Sequence, residues 1–71
     1  MSVASFGVYI KCRRYALGWS RSELARKAEI SRAQVRLLEE GMCRPKAPTF
    51  ARVVDALGLD RDEAANVLET E

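Results

Sequence analysis

Residues 20–41 read Ser20-Arg21-Ser22-Glu23-Leu24-Ala25-Arg26-Lys27-Ala28-Glu29-Ile30-Ser31-Arg32-Ala33-Gln34-Val35-Arg36-Leu37-Leu38-Glu39-Glu40-Gly41. Two helix starts stand eleven residues apart in this stretch. Ser20 to Glu23 has the form of a capping box, in which a hydroxyl and a carboxylate satisfy each other's orphan backbone donors. Ser31 to Gln34 repeats the form. The first cap opens a helix carrying Leu24, Ala25 and Ala28 and stopping near Glu29. The second opens one in which Val35 and Leu38 point inward and Gly41 closes the end.

Only Ala28-Glu29-Ile30 separates the two helices. A turn that short does not allow antiparallel packing, so the helices cross steeply, as in a helix-turn-helix. Ala25 is small enough for the crossing point, and Ile30 fills the turn. The outer face of the second helix then carries Arg32, Ala33, Arg36, Leu37 and Glu40. Arg32 and Arg36, four apart, suit guanine edges or flanking phosphates; Leu37 suits a thymine methyl. The plainer alternative is an ordinary solvated face, although a leucine between two arginines is less usual there.

Outward from this pair the chain stays helical. A helix from about Ser5 to Leu17 shares one face among Phe6, Ile10 and Leu17 and ends at Gly18. Met42 to Pro48 reads as a loop, because Pro45 and Pro48 interrupt regular structure. A fourth helix spans roughly Pro48 to Leu57 and buries Phe50, Val53, Val54 and Leu57. Asp60 and Glu63 cap a fifth, through Leu68. No alternating strand pattern and no repeat occurs. The expectation is all-α: five helices around one core, a single domain over residues 1–71.

Charge is divided along the chain. Up to Lys46, ten bases face four acids, a net of +6; from Ala47 onward two bases face six acids, a net of −4. That polarity puts positive potential on one side of the molecule, as a polyanion surface requires. Composition, 48% hydrophobic and 31% charged, is that of a globular domain. No apolar run approaches the ~20 residues of a membrane span, and Met1 to Ser5 shows no signal-peptide pattern. Without histidine, imidazole catalysis is excluded. Cys12 and Cys43 make neither a closed zinc set nor a disulfide framework; a redox role for Cys43 is weaker than a bystander thiol. Asp60, Asp62 and Glu63 are explained by capping and the helix dipole. No catalytic constellation, cofactor site or small-molecule site is evident, and a reducing cytoplasm is the expected setting.

Together these residues resemble the Cro/C1-type helix-turn-helix domain of the Xre family and lambdoid repressors. The resemblance covers Ile10 to Leu57, carried by Ile10-Lys11-Cys12-Arg13-Arg14, Trp19 to Ala25, Ile30-Ser31-Arg32, Val35, Leu38-Glu39-Glu40-Gly41, Pro45 and Ala56-Leu57-Gly58. It implies a lambda-repressor-like five-helix fold with its helix-turn-helix at helices 2 and 3, and double-stranded DNA as partner. It implies base reading by Arg32, Ala33, Arg36 and Leu37, and phosphate contacts by Arg21, Ser31, Arg44 and Lys46. Arg14 and Glu39 match a pair that forms an internal salt bridge in the family. Glu40 stands where the family often has Asn, so no phosphate contact is carried onto it. Trp19 replaces a typical leucine and reads as a half-buried core residue.

The expected role is a prokaryotic or phage transcriptional regulator, a repressor, binding a palindromic operator as a dimer in the nucleoid. Recognition helices about 34 Å apart would match one DNA turn. The final helix, about residues 60–69, with Leu59, Ala64, Val67 and Leu68, is the expected dimer surface; closure of the monomer core is the alternative use of those residues. A competing reading is a protein-interaction module, such as an antitoxin or regulator subunit, that kept the fold and lost the DNA.

Overall fold

A computed structural model describes residues 4–69. Five helices follow in chain order: α1 (Ala4–Ala16), α2 (Arg21–Ala28), α3 (Arg32–Glu39), α4 (Ala47–Ala56) and α5 (Arg61–Glu69). No strand occurs among the described residues. α3 packs on α1 and α2, α4 on α2 and α5, and α5 returns to α1.

Local chemistry sets where each helix starts. Ser20 Oγ accepts from the Glu23 N–H at 3.1 Å while the Ser20 N–H donates to Glu23 Oε1 at 3.2 Å, a complete capping box. At α3 the Ser31 hydroxyl accepts from the Gln34 N–H at 3.0 Å, but only this half of the expected box forms. Asp60 Oδ1 caps Glu63 N–H at 2.9 Å. Helix α4 begins one residue earlier than expected, at Ala47, with Lys46 as an N-cap that lends no side-chain bond. Pro48 in its first turn lacks a donor that would otherwise be orphaned there.

The four ends α1 to α4 share one closure. After α3, Met42 N–H donates to Leu37 O at 2.9 Å and Gly41 N–H to Leu38 O at 3.2 Å. This is the Schellman pattern, which needs a left-handed residue. Gly18, Gly41 and Gly58 serve α1, α3 and α4. At the turn between α2 and α3 the left-handed residue is Glu29, at φ 58°. Its backbone is held by Ile30 N–H to Ala25 O at 3.0 Å.

Phe6, Ile10, Leu24, Val35, Leu38, Val53, Val54 and Leu57 are fully buried. Each such side chain contributes about 1.5–3 kcal/mol relative to exposure. Phe50, expected inside, is only half-buried and stacks on Phe6 with ring centroids 5.8 Å apart. Leu17 lies just beyond α1 and is also half-buried; the α1 stripe is completed by Arg14, in register with Phe6 and Ile10. Gly7 is where α1 meets α3: a Cβ there would fall 2.5 Å from Leu38 O and 2.6 Å from Glu39 O. No larger residue fits without moving a helix. Arg13 Nε donates to Leu57 O at 3.0 Å, placing a cation on the C-terminal carbonyls of α4.

The acidic α5 is tied down at two points. Arg61 grips the Asp55 carboxylate on α4, Nε donating at 2.9 Å, which holds that carboxyl below its ordinary range. Tyr9 Oη donates to Glu63 Oε1 at 2.7 Å. Ala64 and Leu68 are buried in this core rather than displayed, so they do not form an outward face. Of the four residues expected as a dimer surface, Leu59 and Val67 alone are half-buried at the edge. An apolar stripe on a terminal helix has been used to close the monomer.

Candidate nucleic-acid interface

The helix-turn-helix presents its outer face through a buried electrostatic anchor. Glu39, the last residue of α3, has a fully buried carboxylate. Arg14 donates to it through Nε at 2.6 Å and Nη2 at 3.0 Å, a fork that matches both oxygens. Arg14 Nη1 also donates to Trp19 O at 2.8 Å, which ties the start of the α2 segment to the same group. Hydrogen bonding to Glu39 raises the Arg14 pKa above its ordinary value, against the lowering effect of burial, so the guanidinium stays charged. Arg21 supplies a second cation, Nε donating to Glu39 Oε1 at 3.1 Å.

That anchor fixes the roll of α3 about its axis. Val35 and Leu38 point inward, fully buried. Arg32, Ala33 and Arg36 face solvent and, with Arg21 from α2, line an open cleft of about 400 Å³. Arg32 Nη1 lies 3.4 Å from Ser22 Oγ. Arg36 Nη1 lies 3.4 Å from Glu40 Oε1, one helical turn on. Three arginines and one methyl-sized residue therefore line a single recess. Such a recess attracts an anion or a base edge and leaves room for close approach.

Other residues read from the sequence sit around it. Leu37 is half-buried rather than fully displayed, and its carbonyl closes the end of α3. Ser31 is exposed at the N-terminus of α3, where its hydroxyl oxygen accepts the capping bond and its O–H remains able to donate to a phosphate. Arg44 and Lys46 are exposed in the α3–α4 loop and form no ion pair with a described residue. Trp19 is half-buried against the core with the Lys27 ammonium 4.9 Å above its ring. Cys12 and Cys43 are free thiols, and no group of three metal-ligating side chains occurs among the described residues. Among the described residues no helix is long and apolar enough to cross a membrane.

Sequence reasoning missed three of these features. The grip of Arg21 on Glu39 spans 18 positions and has no local signature. Ser22 as a neighbour of Arg32 depends on how the two helices cross. Gly7 did carry a signal, being a glycine inside a helical pattern, which costs about 1 kcal/mol relative to Ala unless packing demands it.

Comparison with known proteins agrees with this architecture. The family described as helix-turn-helix domain matches residues 5–67. The restriction-modification controller protein C.AhdI from Aeromonas hydrophila superposes with a TM-score of 0.82 at 24% identity, covering 87% of this chain and 94% of that one. The clp gene regulator ClgR from C. glutamicum superposes at 0.81 with 22% identity, over 96% of this chain and 88% of that one. At such identities the likeness establishes the fold. No curated protein sequence matches the chain.

Proposed function

The chain belongs to the helix-turn-helix domain family, and from that premise we propose that it is a sequence-specific double-stranded DNA-binding transcriptional regulator. The observation that carries the reading is the cleft that Arg21, Arg32, Ala33 and Arg36 line on the outer face of α3. Arg32 and Arg36 read base edges, with guanine as the natural bidentate partner. Ala33 allows the helix into the groove. Arg21, Ser31, Arg44 and Lys46 hold flanking phosphates and set the register. The role is stoichiometric binding, with no catalytic step and no cofactor.

One domain of this size contacts too few bases for strong discrimination, so the operator is read as an inverted repeat by two copies, with recognition helices about 34 Å apart. With Ala64 and Leu68 committed to the core, the pairing surface is reduced to the edge carrying Leu59 and Val67. Repression follows where such a site overlaps a promoter. The place of action is the nucleoid. The names of the two solved regulators point in the same direction.

The test is selection of binding sites from random duplex DNA at ~150 mM salt. An enriched inverted repeat supports the reading. Absence of any enriched sequence overturns it and transfers the Leu37 face to a protein partner.

A further inference from the structure

The DNA-facing cleft carries its own anion. Glu40 is the residue after α3, with 42% of its side chain exposed. Its Oε1 lies 3.4 Å from Arg36 Nη1 and its Oε2 lies 3.8 Å from Arg21 Nη1. Two of the three arginines lining the recess therefore share one solvent-facing carboxylate. The neighbouring Glu39 differs in kind: it is fully buried, bound by Arg14 and part of the fold. Nothing in the core requires Glu40.

We propose that Glu40 is a specificity-determining residue, an internal counter-ion that competes with DNA phosphate for Arg21 and Arg36. The inference rests on the DNA-reading function above. At these distances and this exposure the pairs are weak enough to exchange. On an arbitrary duplex Arg36 finds only phosphate or water, which does little better than the carboxylate it already has. On the cognate site a guanine offers two aligned acceptors, and the bidentate contact displaces the carboxylate. Glu40 thus lowers binding to random DNA more than binding to the operator, and the ratio between them rises.

The experiment compares the full chain with Glu40→Gln, using the duplex enriched by selection and a random-sequence duplex across a salt series. Glu40→Gln is expected to tighten random-duplex binding roughly two- to fivefold, the scale of one exposed charge pair. Its salt slope should steepen by about one, as for one added phosphate contact. Operator affinity should gain less, so that discrimination falls. In an Arg21→Gln, Arg36→Gln background the substitution should have no effect. Unchanged or weaker random-duplex binding overturns the proposal, as does an effect that persists without the two arginines. A large loss on the operator also overturns it, because Glu40 would then be reading a base directly. If the unaltered chain enriches no sequence, the DNA-reading function fails and this inference fails with it; in every other case selection succeeds and Glu40 alone is judged.

Discussion

Arg21 Nε donates to Glu39 Oε1 at 3.1 Å, so an arginine facing the DNA cleft is positioned by a carboxylate that belongs to the core. Arg14 holds the same carboxylate through both of its oxygens. The α2–α3 geometry and the aim of the cleft consequently depend on one buried anion.

Removing that anion should be costly. Glu39→Gln leaves Arg14 buried without its counter-charge, and losing one partner of a buried pair costs about 3–5 kcal/mol. Replacing both, as Arg14→Met with Glu39→Leu, should cost less than either single change. Urea unfolding followed by circular dichroism checks both; a Glu39→Gln protein as stable as the parent contradicts the anchor.

Gly7→Ala should destabilise, although alanine is the better helix former. The added methyl meets the Leu38 and Glu39 carbonyl oxygens at 2.5 and 2.6 Å, both backbone atoms. Overpacking of that kind costs about 1–3 kcal/mol. A thermal melt reads the outcome, and a raised midpoint would show that α1 and α3 are not in such close contact.

Glu29→Gly should act in the opposite sense. A side chain at φ 58° carries a penalty of roughly 1–2 kcal/mol that glycine escapes. Glycine's greater freedom in the unfolded chain returns about 0.5–1 kcal/mol of that. A net gain of about 0.5–1 kcal/mol in chemical denaturation is expected; a loss would mean that the turn is not strained.

Alkali should expose the Tyr9 contact. Burial, followed by the hydrogen bond to Glu63, pushes this phenol up to about 12. The folded state favours its protonated form, so the stabilisation is complete below the ordinary tyrosine value of 10 and is lost as pH rises through 12. Tyrosinate absorbance at 295 nm should contain a late phase that Tyr9→Phe removes. A single titration with its midpoint near the ordinary value of 10 would contradict the contact.

On the operator, Arg32→Ala or Arg36→Ala should cost about 1–3 kcal/mol and relax preference at one base position. Arg21→Ala should weaken all duplexes alike. Gel-shift titrations on the selected site and its single-base variants separate the two patterns, and an exchange of roles would mean that α3 is turned differently in the groove.

Features legible in the sequence were those closed within a few residues. Ser20 and Glu23, or Asp60 and Glu63, are three apart, and capping chemistry at that spacing is self-contained. The inward Val35 and Leu38 and the outward Arg32, Ala33 and Arg36 followed from helical periodicity. Arg14 with Glu39, 25 positions apart, was legible through family resemblance alone. Gly7 and Glu29 answer to a neighbouring helix or a turn geometry that periodicity does not encode. Ala64 and Leu68 show the limit most plainly: an apolar stripe says that a face is covered, and packing decides whether the cover is the same chain or a second copy.

The most direct measurement of the central claim is affinity for the selected duplex against salt concentration. Two copies, each placing Arg21, Arg44 and Lys46 on phosphates, give a slope of log affinity against log salt of about −5. A slope near that value on an inverted repeat is the predicted result. A slope near zero would contradict it, because a face that ignores salt is not reading DNA.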